Sequence, residues 1–174
     1  MELFEAIAWR YSYRGAFTDD AVPREDLEKI VAAGAQAPSG CNAETTTFLV
    51  IDDPDVIAAV REHVYRDRPF MKTAQALIAC VCDTKPVYSE TTFYKEDAAA
   101  AVQNMLLAIT ALDYATVWIQ GGIMGSGGEA IAKLLGIPND KELLILLPIG
   151  TPVEPGPRRE KKPLQQRLLY NGWK

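Results

Sequence analysis

Residues 96–112 read E-D-A-A-A-A-V-Q-N-M-L-L-A-I-T-A-L, the longest helical pattern in the chain. After an acidic first turn (Glu96, Asp97), which suits the positive end of a helix dipole, only Gln103, Asn104 and Thr110 interrupt an apolar surface. A helix that is apolar nearly all round must be buried on most of its faces. In a chain of 174 residues, one way to bury them all is to give some to another subunit. The stretch therefore predicts a central helix in a layered domain, next to a partner.

The flanking segments supply the layers. T-T-T-F-L-V-I-D, residues 76–82, T-V-W-I and E-L-L-I-L-L-P-I are β-branched, aromatic or apolar runs of strand length. A first helix is predicted from Glu2 to Trp9, with Leu3, Phe4, Ala6 and Ile7 as its apolar face. A second begins at Pro23, with Leu27, Ile30, Val31 and Gly34 as its core stripe. Asp53-Pro54 opens a third by a cap followed by a first-turn proline. Q-A-P-S-G-C-N-A-E and G-G-I-M-G-S-G-G read as loops, with the short helix E-A-I-A-K-L-L after the second. Helices and strands alternate without an internal repeat or boundary. That order predicts a single domain over 1–174, one sheet with helices on both faces. Residues 151–174 are too rich in proline and charge to form a core, yet carry Leu164, Leu168, Leu169 and Trp173. They read as either an arm that reaches onto a partner subunit or a frayed end, and the apolar residues favour the arm.

Composition narrows the function. The hydrophobic fraction of 48% and charged fraction of 24% are those of a globular protein. A net charge of −5 argues against nucleic acid as partner, and no apolar run is long enough to span a membrane. Acidic residues at the N-terminus argue against export, and three cysteines without regular spacing suggest a reducing compartment, so the expectation is cytoplasmic. Cys80 and Cys82 share one side of a strand and read as small core residues, since the lone histidine, His63, cannot complete a zinc set. His63 itself is expected on the surface of a helix. No metal site is predicted.

Two motifs compete for chemistry. Gly125, Gly127 and Ala130 match G-x-G-x-x-A, but five residues separate Ile119 from the first glycine and no acid closes the next strand, so the dinucleotide fingerprint fits poorly. Ser39 sits in P-S-G, outside any hydrolase elbow. Glu96 and Asp97, adjacent on a helix, cannot face each other as a carboxylate pair, and Asp97 suits the fixing of a loop. What remains is W-R-Y-S-Y-R-G, residues 9–15. In an extended segment Arg10, Ser12 and Arg14 share one side, where two guanidiniums and a hydroxyl suit a phosphate or a polar ring edge. A second basic group, Arg158, Arg159, Lys161 and Lys162, stands near the other terminus.

Taken in order, R-Y-S-Y-R, A-P-S-G-C-N, F-L-V-I-D, the 96–112 helix, W-I-Q-G, L-L-G-I-P, L-P-I-G-T-P and K-K-P-L resemble the FMN-dependent nitroreductase family over nearly the whole chain. The resemblance implies an α+β, three-layer α/β/α sandwich with a central mixed, mainly antiparallel sheet. It also implies a homodimer with FMN at the subunit interface. It would put Arg10, Tyr11, Ser12 and Arg14 on the flavin, and Arg159 and Lys161 at its phosphate. Pro38, Ser39, Gly40 and Asn42 would come from the partner or the opposite wall, and Gln120, Gly121 and Gly122 would bring backbone near the ring. The implied reaction passes hydride from NADH or NADPH through the flavin to a nitroaromatic, quinone or related small-molecule acceptor, with no side chain acting as acid or base. The alternative is a flavin carrier or sensor without turnover. The chain departs from the family pattern at Glu44, Thr45 and Thr46, which replace Gln-Pro-Trp, and the short segment between Pro69 and Lys95 leaves little room for a substrate lid.

Overall fold

The computed structural model describes residues 1–66, 68–88 and 90–173. Four strands, β1 (Thr46–Ile51), β2 (Ala76–Asp83), β3 (Ala115–Thr116) and β4 (Lys141–Gly150), form one sheet in the order β1-β2-β4-β3. Among the described residues every ladder is antiparallel, in line with the mainly antiparallel sheet expected. β2 lies between β1 and β4 and is apolar on both faces, which is why A-L-I-A-C-V-C runs without polar alternation.

The period of two still sorts its side chains. Ala76, Ile78, Cys80 and Cys82 enter one core cluster, whereas Leu77, Ala79 and Val81 enter the other. In β4 the register shifts opposite Cys80 and Val81, leaving Leu144 as an extra residue. This bulge puts the adjacent Leu144 and Ile145 into the same cluster.

One layer holds α2 (Arg24–Ala35) and α5 (Tyr94–Ala111), with α1 (Leu3–Trp9) against α5. Gly34 lets α2 approach α5 closely, because a Cβ there would stand 2.8 Å from Met105 Cγ. Asn104 Nδ2 ties the pair by donating to the Ala33 carbonyl at 3.1 Å. The other layer holds α3 (Pro54–Arg61), the short α4 (Pro69–Lys72) and α6 (Ser126–Leu134). The Asp53 carboxylate caps α3 by accepting from the N–H groups of Asp55 and Val56.

Three expectations need correction. β3 spans two residues rather than T-V-W-I; the chain leaves the ladder after Thr116 and returns once, where Ile119 bridges Leu146. His63 lies in a turn beyond the end of α3, not on the helix. Of the apolar face read on α1, only Ala6 is buried; Leu3, Phe4, Ile7 and Trp9 are exposed. α4 was not foreseen. α5 is buried along Ala98, Ala101, Val102, Met105, Leu106 and Ile109, while Ala99, Ala100, Leu107 and Ala108 are only partly covered.

Candidate functional site

The W-R-Y-S-Y-R-G strip is extended and sorts its side chains as the alternation requires. Tyr13 and Phe17 are buried, with ring centroids 5.2 Å apart, and Tyr11 meets Tyr13 edge-on at 6.2 Å. Arg14 is exposed and Arg10 and Ser12 are half-buried. Tyr13 N–H donates to the Thr116 carbonyl at 2.9 Å, which fastens the strip beside β3. Arg14 Nη1 donates to the Ser12 carbonyl at 3.2 Å, so this guanidinium folds back over the strip.

That attachment brings Arg14 to a cavity of about 350 Å3. Its walls come from Val117–Gly122 on one side and from Val64–Arg66 with Arg68–Phe70 on the other. A hydrogen bond from Tyr65 N–H to the Gly122 carbonyl, at 2.7 Å, joins the two walls. A Cβ built at Gly121 would meet nothing within 4 Å, so the backbone there borders open space. Of the residues expected near a flavin ring, Arg14, Gln120, Gly121 and Gly122 thus come together.

The A-P-S-G-C-N loop lies elsewhere. Pro38 and Ser39 line a smaller cavity of about 130 Å3 with Glu44, Thr45 and Asp97. Gly40 and Asn42 belong to one 3-10 turn, Gly40–Asn42; Cys41 and Asn42 within it, and Glu44 just beyond it, have φ near +50°. Asp97, 5% exposed, holds this turn: its carboxylate accepts from Gly40 N–H at 2.7 Å and from the Thr45 hydroxyl at 2.6 Å. The loop-fixing role read for Asp97 is what the structure contains. The Ser39 hydroxyl accepts from Glu44 N–H at 3.0 Å, which fixes Glu44's backbone and leaves its side chain exposed.

The second basic group returns to the first. Phe17 bridges Pro152, Val153 N–H donates to the Ala16 carbonyl, and Gly156 N–H donates to the Tyr11 hydroxyl at 3.1 Å. Arg158 then lies 4.0 Å from the Trp9 ring centroid and 5.3 Å from that of Tyr11. Arg159 and Lys161 are exposed just beyond it. Tyr11, expected on the cofactor, anchors the start of the arm.

The glycine-rich loop has a packing role. A Cβ at Gly127 would stand 2.5 Å from the His63 carbonyl oxygen, and one at Gly128 would collide with the Ile123 carbonyl. These glycines seat α6 against neighbouring backbone. Burial pushes the Cys80 thiol up to about 12 and that of Cys82 to about 11, which keeps both protonated in the core. Sequence reasoning missed Arg66 and Arg68. The only signal was a cationic R-D-R-P between a helix and a strand, which reads as ordinary solvated charge.

The fold is that of a three-layer α+β protein with a cavity beside the end of its edge strand. The chain belongs to the nitroreductase family, whose sequence profile matches residues 7–80 and 58–151. A provisionally named NADH dehydrogenase/NAD(P)H nitroreductase of Methanothermobacter thermautotrophicus is 30% identical over 91% of this chain and 82% of its own. Mouse iodotyrosine deiodinase 1 is 27% identical over 97% of this chain and 69% of its own. A provisionally named nitroreductase from Desulfovibrio desulfuricans, solved in complex with FMN, is 32% identical with a TM-score of 0.79, covering 99% of this chain and 98% of that one.

Proposed function

We propose that the protein is an FMN-dependent oxidoreductase that draws reducing equivalents from NADH or NADPH and passes them to nitroaromatic, quinone or related acceptors. The observation that carries this reading is a single cavity uniting Arg14 with Gln120, Gly121 and Gly122, in a chain of the nitroreductase family. The residues suit the cofactor. Tyr65, Phe70 and Trp118 offer flat apolar walls, Gly121 leaves backbone bare, and Arg14 supplies a cation. Bound FMN supplies the hydride-accepting and hydride-donating chemistry.

The chain's own residues hold and tune it. Arg14 or Arg10 stabilises negative charge on the ring, and Ser12 adds a hydroxyl to the strip. Arg159 and Lys161 join at the phosphate, carried there by an arm whose root is pinned through Gly156 to Tyr11. Pro38, Ser39, Gly40 and Asn42 line the site from a second copy of the chain. The placement of Pro38 and Ser39 on a separate cavity supports that assignment. So do the exposed Leu3, Phe4, Ile7 and Trp9 of α1 and Leu164, Leu168, Leu169 and Trp173 of the arm, which a homodimer interface would cover. Three unpaired cysteines suit a cytoplasmic location.

Freshly purified protein should be yellow and should bleach without oxygen on addition of NADH or NADPH. Colourless protein that takes up no added FMN would refute the reading. Yellow protein that stays oxidised with both reductants would instead make it a carrier. Arg14→Ala should release FMN with unchanged helical circular dichroism, and full retention would remove Arg14 from the site.

A further inference from the structure

Three arginines, Arg14, Arg66 and Arg68, line the 350 Å3 cavity, and no acidic residue is among its described lining residues. Among the described residues neither Arg66 nor Arg68 is paired with an acid. In a chain of net charge −5, three like charges on one cavity with no acid among its described lining residues make a field that favours an anion. Resting on the reading above, Arg14 or Arg10 serves the cofactor ring, and Arg159 and Lys161 serve its phosphate; of these four only Arg14 lines this cavity. Two cations are left over.

Their setting is specific. Arg66 has φ 69°, a left-handed conformation that glycine or asparagine adopts at less cost. Arg66 is exposed, and its guanidinium stands 5.1 Å from the Tyr65 ring centroid. Arg68 follows two positions on, and Phe70 and Trp118 complete aromatic walls around the same space. Flat apolar walls with two forked donors at the mouth match an aromatic ring bearing a carboxylate, which guanidiniums bind bidentately.

We propose that Arg66 and Arg68 select the electron acceptor, and that the preferred class is aromatic acids rather than neutral aromatics. The same cations would also suit the phosphates of the nicotinamide reductant, so the test must separate the two.

The experiment titrates the oxidised FMN-loaded protein, without reductant, with 4-nitrobenzoate and with 4-nitrobenzamide, and follows calorimetric heat. The carboxylate should bind at least about tenfold more tightly than the amide, the effect of one charge-assisted hydrogen bond. In Arg66→Gln/Arg68→Gln that ratio should fall to about one, with FMN content unchanged by absorbance, and in R66K/R68K it should stay well above one. Equal binding of both probes by the wild type overturns the inference, whatever the variants do. Loss of FMN from the glutamine variant also overturns it, by moving the two arginines to the cofactor. Weakened binding of NADP+ with 4-nitrobenzoate unaffected overturns it in favour of the reductant. A protein that takes up no FMN yet shows the ratio and its collapse would refute the cofactor reading alone.

Discussion

Asp97→Ala removes the acceptor on which the 38–44 turn depends. The carboxylate is 5% exposed and receives Gly40 N–H at 2.7 Å and the Thr45 hydroxyl at 2.6 Å. Hydrogen bonds to a charged group contribute about 1.5–3 kcal/mol each, and donors left without a partner keep their desolvation cost. Part of that loss is recovered where water reaches the half-buried Gly40. The expected destabilisation is therefore roughly 2–4 kcal/mol, or about 5–15 °C in Tm for a chain of this size. Asp97→Asn separates geometry from charge. Its Oδ1 can still accept from Gly40 N–H, and its Nδ2 can donate to the Thr45 oxygen once that hydroxyl rotates. The asparagine variant should lose only about 1 kcal/mol. Urea unfolding of the three proteins gives both differences. An alanine variant within about 0.5 kcal/mol of wild type, or an asparagine variant as unstable as the alanine, would refute the reasoning.

A Cβ at Gly40 would stand 2.4 Å from Phe93 Cδ2, so Gly40→Ala should cost about 1–3 kcal/mol in unfolding experiments. Combined with Phe93→Ala it should cost less than the sum of the two single changes; strict additivity would show that the ring is not the obstacle. Thiol titration at neutral pH should find Cys41 reactive, with Cys80 and Cys82 counted only after denaturation; rapid reaction of more than one thiol would contradict the burial of the pair. Deleting the residues after Pro163 should raise the dissociation constant of the proposed dimer in sedimentation experiments, and undiminished association would detach the arm from the interface.

Much of the scaffold was legible because local rules and tertiary packing agree. Proline at the start of α3, the unbroken apolar run of β2 and the Leu27, Ile30, Gly34 stripe of α2 each have one economical burial. The failures fall where a pattern has two uses. T-V-W-I has strand composition, but only its beginning pairs as a ladder, since the strip at Tyr13 takes the Thr116 carbonyl and Ile119 alone rejoins β4. Leu3, Phe4, Ile7 and Trp9 have core chemistry, and within one copy nothing buries them. P-F-M-K is too short for any period to declare itself a helix. At the site, Arg14 and the Gln120–Gly122 segment were readable through the resemblance of their motifs. Arg66 and Arg68 were not, because a charge near a turn looks the same whether it faces solvent or a cavity.

The early exit of the chain from the ladder after Thr116 bears on how this scaffold diversifies. Several residues lining the cavity, Tyr65, Arg66, Arg68 and Gln120, are exposed and lie outside the strand ladders and both core clusters. Evolution can rewrite such exposed positions one by one while strand register and the two cores go undisturbed. New reactants can then be recruited by exchanging a few side chains at the rim, without inventing another framework.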